Sequence, residues 1–136
     1  MSCPFTSRAT SLAAILSIML CATATAYSHN KPRRIKFVHG KTSATVRGRI
    51  AGYDTQDYVL EARSGQHMDI RITASNPETY FVVYTINGKG TEMNETDHYS
   101  LNTTESGDYV IRVLMMRSAA RRKGASSNYA LTISIK

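Results

Sequence analysis

The sequence predicts an all-β protein, a single-domain antiparallel β-sandwich of about eight strands. Two observations predict this fold. Apolar residues recur at alternate positions in short runs, which is the period of a strand with one buried face. Gly, Asn, Asp or Pro separates one run from the next, as chain reversals require. Helical spacing is nearly absent, so short strands with regular turns indicate two packed sheets.

A polar segment, residues 28–34, precedes the predicted strands. Tyr109–Met115 has apolar residues on both faces, which predicts a central, buried strand. Tyr129–Ile135 alternates apolar and polar residues, which predicts one solvent-facing side. Asn87–Gly90 has the composition of a hairpin turn. The candidate strands are Ile35–Val38, Ala44–Ile50, Asp57–Ala62, Met68–Thr73, Tyr80–Ile86, His98–Leu101, Tyr109–Met115 and Tyr129–Ile135.

The N-terminus has the pattern of a signal peptide. Arg8 precedes an apolar run, Leu12–Ala22, that is too short to span a bilayer as a stable helix. Ala24-Thr25-Ala26 then fits the small-x-small pattern of a cleavage site, with Ala22-Thr23-Ala24 as a competitor. We therefore predict a signal peptide over residues 1–26 and one domain over residues 27–136, exported and without a membrane segment after cleavage.

Cleavage changes both the cysteine content and the charge. Cys3 and Cys21 leave with the signal, so the exported domain has no disulfide and must rely on a packed core. Removing the first 26 of 136 residues leaves 110, which is enough for such a core. Loss of Arg8 lowers the net charge from +7 to +6, a balance that favours acidic partners. Export argues against nucleic acid as that partner.

Sequence motifs for catalysis or metal binding are absent. The four histidines have no ligand spacing and no cysteine remains, so zinc has no support. Asp54, Asp57 and Asp69 are scattered singly and do not form an oxygen-rich calcium loop. Ser106 lacks the flanking glycines of a nucleophile elbow. We predict no cofactor, no metal and no enzymatic activity. A catalytic pair of carboxylates that the fold brings together from different strands would, however, not be visible in the sequence.

Exposed-looking turn residues suggest a binding surface. Tyr53 lies between Gly52 and Asp54 in a tight reversal, where a ring presents rigid contact area at low entropic cost. Arg117 and Arg121 are four residues apart, so a helical turn would place both guanidinium groups on one face. Two aligned Arg forks suit carboxylate recognition. The alternative is that these arginines form a solvated basic loop.

The same segments carry a resemblance to a known family. Gly52-Tyr53-Asp54, Ser64-Gly65-Gln66, the run from Ser106 to Arg121 and the C-terminal strand resemble the bacterial periplasmic inhibitors of goose-type (g-type) lysozyme. The related inhibitors of invertebrate-type (i-type) lysozyme are similar too. The resemblance extends from about Ile35 to Lys136 and is weakest over residues 78–94.

The resemblance implies a periplasmic inhibitor whose loops occlude the cleft of a host lysozyme, with the g-type favoured and the i-type possible. The family's Ser-Gly-x-Tyr motif falls on Ser106, Gly107 and Tyr109, with the serine reaching the catalytic carboxylates and the tyrosine supporting the loop. Tyr53, Arg117 and Arg121 match positions of the enzyme-facing patch. This interpretation requires all six residues to meet on one rim of the domain.

A second resemblance gives a different function. The pre-peptidase C-terminal domains of secreted enzymes also have a Tyr-bearing strand, a Gly-Gln turn and a late Gly-Asp-Tyr strand. Such a module would bind polysaccharide or calcium beside a catalytic domain. The sequence does not fix the oligomeric state.

Overall fold

The structure is a computed structural model that describes residues 30–85, 91–103 and 105–136. The predicted signal peptide (residues 1–26) and the predicted hairpin turn at residues 87–90 lie outside these ranges. No helix in the described part of the chain is long or apolar enough to cross a membrane.

The described residues form nine strands and one short helix. The helix, α1, consists of Arg117–Ala120. The strands are β1 Arg33–Arg34, β2 Ser43–Ala51, β3 Gln56–Ala62, β4 His67–Ala74, β5 Thr79–Thr85, β6 Thr91–Thr96, β7 His98–Asn102, β8 Gly107–Met115 and β9 Ser126–Ile135.

The strands make two sheets, which confirms the predicted β-sandwich. The first sheet has the order β1-β3-β8-β5-β6 and the second the order β2-β9-β4-β7. The neighbouring pairs run antiparallel except for the two-residue β1, which pairs parallel with β3. β8 lies in the middle of the first sheet, as its two apolar faces predict.

The core lies between the sheets. The first sheet contributes the inward residues of β3, β5 and β8, and the second contributes those of β4 and β9. Leu131 and Ile133 are completely buried, and Asn128 and Thr132 on the same strand are exposed, which confirms the alternation predicted for β9. The largest fully buried side chains are Tyr58, Phe81, Ile50, Leu60, Met68, Ile70, Ile111, Leu131, Ile133 and Val113.

Two buried tyrosines join the sheets across this core. The Tyr58 and Tyr129 hydroxyl groups are 2.9 Å apart, and the two rings meet edge to face. Gly48 on β2 leaves the space for them, because a Cβ there would lie 2.6 Å from Tyr129 Cζ and 3.1 Å from Tyr58 Oη. Burial, followed by the hydrogen bond to Tyr58, raises the pKa of Tyr129 well above its usual range.

Two strand predictions need correction. Ile35–Val38 is not a strand, because only Ile35 continues the pairing of β1, through its N–H to Val59 O at 2.8 Å, before the chain leaves β3. The sequence also missed β6, Thr91–Thr96, which lacks strong apolar alternation and forms by pairing with β5. The remaining predicted strands each overlap an observed one, with ends that shift by up to three residues.

Candidate functional site

A short helix ends the central strand and turns its arginines outward. After β8, Ala119 and Ala120 are buried, so the opposite side of the turn faces solvent. The Ala120 N–H donates to Met116 O at 2.8 Å, and the Arg121 N–H donates to Arg117 O at 3.2 Å. Arg117 and Arg121 therefore lie one helical turn apart and both are exposed, as the spacing predicts.

Glu78 fixes this helix to the turn before β5. The Met116 N–H donates to Glu78 O at 2.9 Å, and Ser118 Oγ donates to Glu78 Oε2 at 3.0 Å. Arg122 Nη2 lies 3.6 Å from Glu78 Oε1. Arg117 and Arg121, in contrast, form no ion pair with any carboxylate of the described residues. Within the described part of the chain, no carboxylate therefore neutralises these two arginines.

The turn that carries Tyr53 packs beside this helix. The Gly52 N–H donates to Ala125 O at 2.9 Å, and a Cβ at Gly52 would lie 3.7 Å from Ala120 O. Tyr53 is 48% exposed, and Met116, directly before the helix, is 41% exposed. Tyr53, Met116, Arg117 and Arg121 form what we call the helix end of the sandwich.

The Ser-Gly-x-Tyr segment forms a tightly held turn into the start of β8. The Ser64 N–H donates to Ser106 Oγ at 2.9 Å. Gly107 has φ +149°, a conformation that L side chains rarely adopt. Tyr109 is buried, and its hydroxyl donates to Glu105 O at 2.8 Å. Tyr109 thus supports the loop from below, while Ser106 and Gly107 remain exposed.

An ion pair flanks this loop. Arg34 donates to both carboxylate oxygens of Asp108, at 3.0 and 2.5 Å. The hydrogen bond from Arg34 lowers the pKa of Asp108, and the same bond raises the pKa of Arg34. We call residues 105–109 together with this ion pair the serine-loop end.

The six predicted site residues do not share one rim. Gly107 pairs with Ala62 at the close of β3, whereas Val113 pairs with Gln56 at its start. The nine residues of β8 therefore separate Ser106 from Arg117 by about 30 Å, at about 3.3 Å per residue. The expectation that all six residues meet on one rim of the domain is wrong. Tyr53, Arg117 and Arg121 lie at the helix end, and the opposite end of the sandwich carries Ser106, Gly107 and Tyr109.

Two residues that shape the helix end, Met116 and Glu78, were not predicted from the sequence. Met116 was missed because it is a single apolar residue after a buried strand, with no periodic pattern of its own. Glu78 was missed because its role depends on a long-range contact with Ser118 and Arg122. An apolar residue directly before a basic helical turn was the available signal for Met116.

Two of the three aspartates considered for calcium, Asp57 and Asp69, pair with basic side chains. Asp57 accepts two hydrogen bonds from Arg112, at 2.7 and 2.8 Å, on the outer face of the first sheet. Asp69 lies 2.9 Å from His98 on the outer face of the second sheet. Because these faces point in opposite directions, the two carboxylates do not share an ion.

Comparison with known proteins identifies relatives over most of the chain. The inhibitor of g-type lysozyme from Escherichia coli (strain K12) is 30% identical over 125 residues, which cover 88% of this chain and 92% of that protein. The crystal structure of the periplasmic g-type lysozyme inhibitor of Aeromonas hydrophila matches with a TM-score of 0.68 and 28% identity, over 77% of this chain and 96% of that one. The Salmonella Typhimurium inhibitor matches with a TM-score of 0.61 and 28% identity, over 79% and 99%.

A more distant likeness concerns the fold alone. The pre-peptidase C-terminal domain of a collagenase from Bacillus anthracis has a TM-score of 0.50 and 18% identity, over 80% of this chain and 98% of that one. This likeness shows a shared sandwich, and the polysaccharide or calcium binding implied by the second resemblance stays a prediction. No protein-family model matches the chain.

The relatives confirm several predictions made from the residues. They are inhibitor proteins and not enzymes, and the solved structures are of periplasmic proteins, in agreement with the predicted location. The identity to the Escherichia coli protein covers nearly all of both chains, and the solved inhibitors have the same sandwich. The chain belongs to the family of periplasmic inhibitors of g-type lysozyme.

Proposed function

We propose that the protein inhibits a host g-type lysozyme by placing its helix end in the enzyme's substrate cleft. The observation that carries this proposal is the juxtaposition of exposed Tyr53 and Met116 with Arg117 and Arg121 on one rim. The named function of the relatives supports the target, and the geometry of this rim supports the choice of surface.

The chemistry of the target fits two arginines that form no ion pair within the described ranges. Glycoside hydrolases as a rule place carboxyl groups around the scissile bond, so the cleft presents acidic oxygens. Each Arg fork can donate two parallel hydrogen bonds to one carboxylate. Arg117 and Arg121 can therefore engage the cleft without offering it a bond to cleave.

The two exposed apolar side chains supply the remaining contact area. Tyr, Met and Arg are enriched in interfaces, and a few such side chains carry most of the binding energy. Tyr53 lies at the tip of a turn that the hydrogen bond from the Gly52 N–H to Ala125 O holds in place. The turn therefore loses little conformational entropy on binding. Met116 adds a flexible apolar surface that adapts to an irregular pocket.

The serine-loop end is the second candidate for the same role. Ser106 is exposed on a loop fixed by Tyr109 and by the Ser64 N–H, and Gly107 adds no side chain that would obstruct a close approach. The helix end is favoured because two of the three exposed large hydrophobic residues in the described ranges lie there; the third is Val38.

The test is a turbidity assay of cell-wall lysis by three enzymes: g-type, i-type and chicken-type lysozyme. We expect the protein to slow the g-type enzyme at micromolar concentration, with weaker effects or none on the other two. The same protein after thermal unfolding serves as a control for nonspecific effects. Undiminished lysis by the g-type enzyme would reject the proposed function.

We also propose that the exported protein begins at Tyr27. Support comes from the Ala24-Thr25-Ala26 pattern and from the periplasmic location of the relatives. Mass spectrometry of the protein from the periplasm would show a chain of residues 27–136, or of 25–136 if cleavage follows Ala24. A periplasmic protein that retains residues 1–24 would contradict cleavage.

A further inference from the structure

A groove lies at the serine-loop end and is not part of the proposed lysozyme contact. It has a volume of about 640 Å³ and opens where the segment after β1 meets the start of β2 and the end of β3. Ala62, near this groove, pairs with Gly107, which places the groove about the length of β8 away from the helix end. Its lining includes Arg34, Ile35, Lys36, Phe37, Lys41, Thr42, Glu61, Arg63, Gln66 and Ile135.

The charge of the groove is strongly positive. Four lining side chains are cations, and Glu61 is the one lining acid. Asp108 neutralises Arg34 through the two hydrogen bonds described above. Lys36, Lys41 and Arg63 then carry a charge of +3 around a concave surface, and Glu61 reduces the net charge to +2. Clustered cations in a cleft raise the local concentration of anions.

The shape of the groove admits more than a simple anion. Its volume lies within the range of about 300–1,000 Å³ that is usual for small-molecule sites. Ile35, Phe37 and Ile135 provide an apolar part of the lining, contributed by the β1–β2 connection and the end of β9. A ligand that fills this groove therefore combines an anionic group with an apolar group.

We propose that this groove binds a phosphate monoester carried on an apolar group. A phosphate monoester bears a charge of about −1.5 to −2 at pH 7, which matches the groove, whereas a carboxylate would leave one cation unbalanced. Arg63 can donate two parallel bonds to phosphate oxygens, and Lys36 and Lys41 contribute compact charges. Phe37 and the two isoleucines take the apolar group out of water.

The experiment is isothermal titration calorimetry of the protein, purified from the periplasm, with hexyl phosphate, inorganic phosphate and hexanol. Hexyl phosphate should bind about tenfold more tightly than inorganic phosphate, because part of the chain is buried. Hexanol should not give saturable binding. A Lys41→Gln, Arg63→Gln double variant should weaken hexyl phosphate binding by about tenfold or more, since it loses two charge-assisted contacts.

A control of equal charge change distinguishes the groove from general electrostatics. Arg47→Gln with Arg71→Gln alters two exposed residues of the second sheet, and it should bind hexyl phosphate within about twofold of the wild type. Both double variants should inhibit g-type lysozyme as the wild type does. Calorimetry therefore tests ligand binding by the groove, and the lysis assay tests the proposed function independently.

An experiment with vesicles distinguishes a phosphate monoester on a membrane lipid from one on a soluble compound. Sedimentation with phosphatidylcholine vesicles that contain phosphatidic acid would assign the ligand to a membrane surface, and hexyl phosphate binding without sedimentation would assign it to a soluble compound. Absence of saturable hexyl phosphate binding, or equal binding by the groove variant and its control, would overturn the proposal. Equal affinities for hexyl phosphate and inorganic phosphate would overturn the claim that the groove binds an apolar group beside the phosphate.

Discussion

Ser106 and Arg117 lie at opposite ends of β8, with the nine strand residues Gly107–Met115 and then Met116 between them. The two ends of this strand point in opposite directions along the sandwich. An enzyme cleft that receives the helix end therefore leaves the serine loop outside. This arrangement divides the six predicted contact residues into two groups that mutagenesis can test separately.

A Ser106→Ala variant should inhibit g-type lysozyme within about twofold of the wild type. It removes a hydroxyl that accepts one exposed hydrogen bond from the Ser64 N–H, a loss of about 0.5–1.5 kcal/mol of stability at most. Inhibition constants and urea unfolding would be measured on the same preparation. A loss of inhibition above about tenfold with unchanged stability would move the lysozyme contact to the serine-loop end.

A Gly48→Ala variant should lower the free energy of unfolding by about 1–3 kcal/mol, the usual cost of overpacking a core. The added methyl group would overlap the Tyr129 ring and approach Tyr58 Oη. Urea denaturation is the measurement, and Arg47→Ala, an exposed neighbour on β2, is the control with an expected change within about 0.5 kcal/mol. Equal stability of the two variants would show that the tyrosine pair can move aside.

Stability should fall as the pH rises above about 10, the ordinary pKa of tyrosine. The pKa of Tyr129 is raised in the folded protein by burial and by Tyr58, so the unfolded state loses this proton first. The contribution is fully present below about pH 10 and is lost as the pH rises toward the folded value. Urea unfolding between pH 8 and 11 should show a smaller decline for Tyr129→Phe, and an equal decline would contradict this cause.

The Arg34–Asp108 ion pair should titrate in acid. Arg34 lowers the pKa of Asp108, so the pair contributes stability above about pH 3.9, the ordinary value for an aspartate. This contribution is lost as the pH falls through the lower folded value. Carboxyl carbon NMR should follow the Asp108 titration, and Arg34→Gln should return it toward the ordinary range. An Asp108 midpoint that does not change in Arg34→Gln would contradict the pairing.

The sequence predicted the sandwich because its buried strands carry strong patterns. The alternation of Tyr129–Ile135 and the doubly apolar Tyr109–Met115 place β9 and β8 correctly. Thr91–Thr96 was missed, because a polar edge strand forms through pairing with β5 and not through its own apolar pattern. Ile35–Val38 was wrong, because an alternating pattern does not reveal where a segment leaves its partner strand.

The sequence predicted the exposure of individual residues of the candidate site but not which of them lie close together in the fold. The exposure of Tyr53 followed from its turn, and the common face of Arg117 and Arg121 followed from their spacing. Their proximity depends on β2, β3 and α1 meeting at one end, which a single sequence does not show. The separation of Ser106 from Arg117 was implied by the strand predicted between them, since an extended strand of that length holds its ends far apart.

The contact between the helix end and the enzyme is tested by the inhibition constant of an Arg117→Gln, Arg121→Gln double variant against g-type lysozyme. The Arg47→Gln, Arg71→Gln variant, with the same change of charge, is the control. We expect a loss of about a hundredfold or more for the first variant, from two charge-assisted contacts of about 1.5–3 kcal/mol each, and a change within about twofold for the second. Undiminished inhibition by the folded Arg117→Gln, Arg121→Gln variant would show that the helix end is not the surface that contacts the enzyme.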